Sequence, residues 1–233
     1  QAQRLRAQGD TARSKSQYRA AASAYADYLE RFPRSNRSYD FNFFLAETLY
    51  YSDDFDRAAS QYAMVRDSTV DSKHLETAAL FAVISHERRI ENLEAKGELD
   101  ELEVMTAAQR SGRPVEPRDL PPARKNLVEA SDRFVELAPT SENVAAIAYR
   151  AAEEYYKHDR FDEARGRFER IVATYPDEKV AEYAANLIIE SYLAVQDWDK
   201  VDQWSSRLIE VVQRGESGGP RGGELVGTLE DVR

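Results

Sequence analysis

The sequence predicts an all-α fold, because three observations point the same way. Apolar residues recur at intervals of three and four, as on one face of a helix, and strand-like alternation is hard to find. The 8 prolines and 10 glycines gather at a few places between these periodic stretches. One phrase also occurs twice, as YYSDDFDRAASQY over residues 50–62 and YYKHDRFDEARGRF over residues 155–168. We therefore expect similar helical hairpins stacked on one another.

Each copy of the repeat is defined by four positions on one helix. They are an aromatic residue or Leu, a small residue at +3, a bulky residue at +7 and an apolar residue at +10. Five copies fit this pattern, and their first positions are Tyr18, Phe55, Leu127, Phe161 and Trp198. The fifth copy is weaker because Ser205 takes its bulky position. These first positions lie 37, 72, 34 and 37 residues apart, so the interval of 72 holds two repeat lengths or one repeat with an insertion.

A second helix precedes three of the copies, over residues 40–51, 143–157 and 179–195. Small residues stand where the two helices of a hairpin must approach closely: Ala46, Ala151, Ala152, Ala184 and Ala185. A helix–turn–helix unit of about 34 residues that packs on its own copies is typical of a solenoid.

These positions resemble the tetratricopeptide repeat (TPR) family. In the second repeat, the family's motif positions are taken by Leu45, Ala46, Leu49, Phe55, Ala58 and Tyr62. In the fourth, they are taken by Tyr155, Phe161, Ala164, Phe168 and Pro176. The chain departs from the family where Ala46, Ala152 and Ile189 replace the usual first-helix Gly. The resemblance implies an all-α, TPR-like helical-hairpin solenoid of about five repeats over residues 1–213, with an extended, inserted third hairpin. Residues 214–233 are expected to form a flexible, Gly-rich tail.

The ends of two repeats, FPRS and TYPDE, are similar to those of bacterial cell-envelope TPR proteins, and the chain resembles components of gliding-motility machinery among them. This resemblance implies a periplasmic or envelope location, and the cytoplasm is the alternative, because a chain without cysteine fits both compartments. The sequence begins with Gln1 rather than Met, so we expect a piece of a longer protein.

Composition excludes several classes of function. The net charge of −10, from 32 basic and 42 acidic residues, argues against nonspecific binding to nucleic acid. Without cysteine there is no disulfide, thiolate zinc site or cysteine nucleophile. No run of 18 apolar residues is present, so no membrane span is predicted in this chain.

The acidic phrase SDDFD over residues 52–56 admits two interpretations. A calcium-binding EF-hand loop that begins at Asp54 would need Gly at its sixth position and Glu at its twelfth, where Ala59 and Val65 stand. Acidic residues recur around Trp198, as Asp197 and Asp199, which favours capping of helix starts over metal binding. The sequence therefore predicts no metal and no cofactor.

Motifs for catalysis are also missing from the sequence. The zinc-protease motif HExxH is broken at Ile90, and the three histidines are interpreted as turn or surface residues. Neither the GxSxG pattern of serine hydrolases nor a phosphate-binding glycine loop is present. We therefore expect no catalytic site and do not expect an enzyme.

Residues 98–122 interrupt the repeats and form the predicted insertion. They continue a long first helix that is expected over residues 72–96, and helix is expected to extend to about Gln109. Four prolines within nine residues then require extended backbone. The insertion is interpreted either as a partner contact or as a tolerated surface excursion.

The predicted function is that of a non-catalytic scaffold or adaptor that binds other proteins or peptides through a concave groove and the insertion. Two alternatives remain open, a regulatory peptide-binding sensor and an accessory domain of a larger enzyme. The candidate partner-binding residues lie on first helices or in the insertion: Tyr39, Asn42, Tyr50, Asn143, Tyr149, Arg150, Tyr156, Asn186, Met105 and Arg113.

Overall fold

The structure is a computed structural model that describes residues 1–110 and 113–214. Over these residues it contains ten α-helices and no β-strand, which confirms the predicted fold class. The helices are α1 (Ala2–Ala7), α2 (Thr11–Arg31), α3 (Ser38–Tyr51), α4 (Phe55–Arg66), α5 (Leu75–Ala95), α6 (Pro122–Leu137), α7 (Val144–Lys157), α8 (Phe161–Thr174), α9 (Lys179–Ala194) and α10 (Trp198–Arg214).

The chain forms two compact units. Unit 1 contains residues 1–101 and 121–144, and each of its helices from α1 to α6 packs against the next one. Unit 2 contains residues 102–120 and the chain from Ala145 onward, and within it α9 packs against both α8 and α10. The chain thus leaves unit 1 after α5 and returns to it at α6.

Each first helix of a hairpin ends in the same kind of turn. The second residue after each of these helices (α1, α3, α5, α7 and α9) adopts the left-handed conformation. These residues are Gly9, Asp53, Gly97, Asp159 and Gln196. The amide that follows donates to a carbonyl five residues back, as in Asp54 to Leu49 and Arg160 to Tyr155, both at 3.0 Å. This is the Schellman motif, which satisfies the last carbonyls of a helix. The phrase that occurs twice in the sequence therefore encodes this turn.

The aspartates around these turns do not all cap helices. Asp197 accepts a hydrogen bond from the amide of Lys200 at 3.2 Å, so capping is confirmed at α10. At α4 the prediction was wrong, because Asp54 makes no side-chain capping bond. Its carboxylate accepts instead from the guanidinium of Arg57 at 3.1 Å.

The first repeat begins seven residues earlier than the sequence pattern predicted. Its turn is formed by Gly9, so the second helix of the hairpin starts at Thr11 instead of near Tyr18. Buried Ser14 then takes the small position at +3 and Tyr18 takes the bulky position at +7. Tyr and Ala recur at helical spacing from Tyr18 to Tyr28, inside a helix of 21 residues, so periodicity alone does not define where the repeat starts.

Small and aromatic residues form the core of each unit. In unit 1, Ala46 and Ala58 lie against Tyr62 in the cluster that joins α3, α4 and α5. In unit 2, Ala164 and Ala184 lie against Phe168 in the cluster that joins α7 to α10. Alanine at these contacts lets the helix backbones approach closely, as the repeat pattern predicts.

The insertion contains no helix among its described residues. The extended third hairpin is confirmed, since α5 runs for 21 residues and α6 starts only at Pro122. The expectation of helix up to Gln109 was wrong, and only a turn is present near residues 107–110. Backbone groups of this stretch bond to side chains of unit 2, which replaces the hydrogen bonds of a helix. The predicted tail at 214–233 lies outside the described residues from position 215 onward.

Gln196→Gly is expected to stabilise unit 2 by about 0.5–1 kcal/mol. Gln196 has a φ of 58°, a conformation that is strained for residues with a Cβ atom and free of strain for Gly. Urea denaturation followed by tryptophan fluorescence measures the change. Val195→Gly is the matched control, because Val195 has a φ of −99° and gains nothing from glycine. Equal effects of the two substitutions would contradict the prediction.

Candidate interaction surfaces

Unit 1 carries an open groove of about 330 Å³ beside α3 and α4. Two apolar side chains on its wall are strongly exposed, Met64 at 59% and Val70 at 84%. The wall also includes Pro33, and polar groups enter at Ser35 and Ser68. A groove with exposed apolar walls and a few polar groups is suited to an apolar side chain of a partner.

Tyr39 and Asn42, two of the predicted site residues, lie in the lining of this groove. Tyr39 is buried, and its hydroxyl accepts a hydrogen bond from the amide of His74 at 3.1 Å. The Asn42 amide donates to the carbonyl of Ser38, and its oxygen accepts from the Gln61 amide, both at 2.6 Å. These bonds hold the Asn42 amide in one orientation at the floor of the groove.

A charged cluster next to Tyr39 is organised around Asp40. Its carboxylate contacts the Lys73 ammonium at 2.5 Å and the imidazole Nε2 of His74 at 3.2 Å. The hydrogen bond from Lys73 lowers the pKa of Asp40 below its ordinary value. The imidazole of His74 stacks on the ring of Phe43 with centroids 4.0 Å apart, which ties this polar cluster to the core.

Tyr50 lines a different cavity of unit 1, of about 360 Å³. Its ring meets those of Phe55 and Phe81 edge to face, with centroids 5.4 and 5.5 Å apart. Arg6 lies over the neighbouring ring of Tyr51, 4.7 Å from its centroid. The cavity is more polar than the groove, because it also contains ion pairs of lysine and arginine with acidic residues.

The first helices of unit 2 bring two predicted residues, Tyr149 and Asn186, to one face. Tyr149 on α7 is half-buried, and its ring lies 6.4 Å from that of Tyr183 on α9. Asn186, also half-buried, follows Tyr183 by one helical turn. Burial raises the pKa of the Tyr149 hydroxyl. We call the surface of α7 and α9 that carries these residues the first-helix face.

Arg150 and Asn143 are not among the residues that define the first-helix face. Arg150 is exposed on α7, next in sequence to Tyr149. Asn143 is half-buried and directly precedes α7, and it is counted in unit 1. Their predicted role in partner binding remains a prediction.

Tyr156 and Met105, two predicted residues far apart in sequence, are hydrogen-bonded to each other. Tyr156 is fully buried on α7, and its hydroxyl donates to the carbonyl of Met105 at 2.8 Å. Burial raises the pKa of Tyr156 to about 12. Arg113 is exposed, and its guanidinium lies 3.9 Å from the sulfur of Met105. The insertion is therefore bonded to α7 through Met105 and Tyr156, both of which were predicted to bind a partner.

We call residues 102–120 the strap, because the described residues of this segment lie across α7 and α9. Arg110 forms an ion pair with Asp159 in which the side chains are 10% and 13% exposed. The amide of Ala107 donates to the carboxylate of Glu190 on α9 at 2.6 Å. The amide of Arg118 donates to the carbonyl of His158 at 2.9 Å.

Apolar contacts add to these polar ones, since Val104 and Val115 pack against the unit 2 core.

Three residues that hold the strap in place were not predicted from the sequence: Arg110, Asp159 and Glu190. Asp159 stands in the phrase that occurs twice, where its recurrence marks a turn, and no pattern distinguishes Arg110 from other surface arginines.

Two features are not found in the part of the chain that the structure describes. No three His, Cys, Asp or Glu side chains gather in an arrangement that could hold a metal ion. None of the helices described is sufficiently long and apolar to span a membrane.

Comparison with known proteins does not identify a family for this chain. No protein-family model matches the sequence, and no relative is found among curated proteins. Solved structures include a kinesin light chain from Podosopora anserina with nearly identical TPR-like repeats, at 13% identity and a TM-score of 0.46, with 90% of each chain covered. BtubC (BKLC) from P. vanneervenii has 14% identity and a TM-score of 0.43, with 95% of this chain and 84% of that chain covered. Both TM-scores are below 0.5. The fold is therefore defined by the helical hairpins described above and not by these similarities.

Proposed function

We propose that the protein is a TPR-like scaffold that binds other proteins. The observation that carries this proposal is the unit 1 groove, where Met64 and Val70 expose apolar surface beside the fixed amide of Asn42. An apolar wall next to an oriented polar group is the arrangement by which partner side chains are recognised. Helical repeats supply such grooves on a rigid support.

The finer proposal is that the scaffold belongs to a bacterial envelope complex, with gliding motility as a candidate process. Support comes from the FPRS and TYPDE repeat ends, which are similar to those of envelope TPR proteins. Fractionation of native cells tests the location, and recovery of the protein with the cytoplasmic fraction would favour the alternative.

Replacing both Met64 and Val70 with Ser is expected to lower recovery of the partner at least tenfold. Burial of each apolar side chain in a complex contributes roughly 1.5 kcal/mol or more, and a hydroxyl forfeits most of this contribution. Quantitative crosslinking and pull-down from native cells, with intact and substituted protein, measures the loss. The melting temperature should stay unchanged, because both side chains are exposed.

Val195→Ser is the matched control, since Val195 is an exposed apolar residue of unit 2 that does not line the groove. It should leave partner recovery unchanged. If the groove variant retains full recovery, the groove is not the binding surface.

A peptide-binding sensor is the second candidate function. The observation that favours it is the strap, because a segment whose described residues form no helix already occupies part of the first-helix face.

A further inference from the structure

We propose that the strap is a peptide ligand held in cis, and that the first-helix face of unit 2 is a receptor for an arginine-bearing peptide with one turn that ends at the arginine. This proposal deepens the protein-binding function proposed above and rests on it, because it names a site and the chemistry of its ligand. The strap holds the receptor filled until a segment of the same chemistry replaces it.

Helical spacing places the strap on the same face as the open part of the surface. On α7, Tyr156 follows Tyr149 by seven residues, which is two turns. On α9, Glu190 follows Tyr183 by seven residues in the same way. The strap contacts Tyr156 and Glu190, at the carboxyl-terminal ends of the two helices. Tyr149 and Tyr183 lie at the other end of this face, where Tyr183 is 43% exposed.

The receptor holds the strap largely through the strap's backbone. The carbonyl of Met105 accepts from Tyr156, the amide of Ala107 donates to Glu190, and the amide of Arg118 donates to a carbonyl of the α7–α8 turn. Backbone recognition is independent of the bound sequence, so any peptide that adopts the backbone conformation of the strap can make these bonds.

Specificity comes from one side chain, that of Arg110. Its guanidinium pairs with Asp159 and lies 5.1 Å from the ring centroid of Phe161 and 5.4 Å from that of Tyr156. A carboxylate flanked by two aromatic rings suits the planar, weakly hydrated guanidinium better than an ammonium group. The receptor therefore selects arginine at this position of the ligand.

Apart from Val104 and Val115, which pack against the core, the other side-chain contacts of the strap lie at the surface. Arg113, Glu116 and Pro117 are exposed, and the ion pair of Asp119 with Arg160 at 3.0 Å lies at the surface. Both flanks of the strap, residues up to 101 and from 121, belong to unit 1. The contacts described above are thus what holds this segment on unit 2, as they would hold a separate peptide.

A synthetic peptide of residues 102–120 tests the receptor directly. We would replace residues 102–120 of the full chain with a Gly/Ser linker of equal length and titrate the fluorescently labelled peptide against it. Saturable binding is expected, and the peptide with Arg110→Ala should bind at least thirtyfold more weakly. A peptide with Arg113→Ala is the matched control and should bind within threefold of the original, because Arg113 is exposed. The intact chain should bind the peptide at least tenfold more weakly, since its receptor is filled.

Failure to bind by a linker variant that retains its helical circular dichroism would overturn the proposal, as would equal binding of the two substituted peptides. The pull-down with the groove variant uses a different surface, so either experiment can fail while the other succeeds.

Native-state hydrogen exchange of the intact chain decides the matter if the linker variant does not fold. The amides of Ala107 and Arg118 should show protection factors at least tenfold lower than the Phe168 amide, because a bound ligand opens without unfolding its receptor. If these amides exchange only together with that of Phe168, the strap is an integral part of the core and the proposal is wrong.

Discussion

Arg110→Ala is expected to destabilise unit 2 by about 2 kcal/mol, because it leaves the mostly buried carboxylate of Asp159, 13% exposed, without its cation. The substitution also removes the bond from the Arg110 Nε to the Met105 carbonyl, at 3.3 Å, and the contact with the Phe161 ring. Both tryptophans, Trp198 and Trp204, lie in α10, so urea denaturation followed by tryptophan fluorescence reports on unit 2. The midpoint should shift with little change in slope.

Two further variants separate the ion pair from general effects of mutation. Arg113→Ala removes an exposed arginine of the same segment and should change stability by no more than about 0.5 kcal/mol. Adding Asp159→Asn to Arg110→Ala should recover part of the loss, since the unpaired buried charge is then gone. Asn also tolerates the left-handed backbone at position 159. Equal losses from Arg110→Ala and Arg113→Ala would show that the ion pair contributes nothing.

Acidification from pH 7 to pH 4 is expected to destabilise unit 1 by up to about 3 kcal/mol through His86 alone. The imidazole lies on α5, and its Nδ1 is buried without a hydrogen-bond partner among the described residues. Burial, with a smaller contribution from the nearby guanidinium of Arg89, lowers the pKa of His86 to about 4, although Asp56 opposes this effect. The ordinary pKa of 6.5 applies to the unfolded chain.

The sign follows from these two values. Between pH 6.5 and 4 the unfolded chain binds a proton at His86 and the folded chain does not, so protonation favours unfolding and stability falls as the pH falls. Above pH 6.5 both states are neutral and the effect is absent. His86→Leu removes it, so the difference in stability between the variant and the original protein should grow in favour of the variant as the pH falls from 6.5 to 4. Unfolding followed by circular dichroism measures this difference, and a constant difference across that range would contradict it.

The sequence allowed the hairpins to be predicted because their signals are local. Ala58 and Tyr62 in one repeat and Ala164 and Phe168 in another are buried on one face of their helices, and that face is what periodicity reports. The start of α2 was misplaced for the same reason, since its periodic pattern extends over more residues than the repeat needs. A Gly followed by Asp at positions 9 and 10 was the signal that could have corrected it.

From the sequence, the strap could be predicted only as a segment that interrupts the helical repeats. Its position follows from long-range bonds, such as Arg110 with Asp159, whose partners are 49 residues apart. Local sequence favoured helix up to Gln109, but side chains of α7 and α9 satisfy backbone groups of this stretch, which forms only a turn instead of a helix. Tyr156 and Met105 were both predicted as partner-binding residues, yet nothing in the sequence indicates that they bind each other.

The division of the chain between the two units has a consequence for its synthesis. Residues 102–120 are translated before every helix of unit 2, and α6 must join unit 1 in the interval. The nascent strap therefore has no receptor to bind until α7, α8 and α9 have been translated. A chain that stopped at residue 144 would hold all of unit 1 together with a strap that has nothing to bind. Ribosomal pausing after α6 would then lengthen the period in which the arginine of the strap is open to other proteins of the cell.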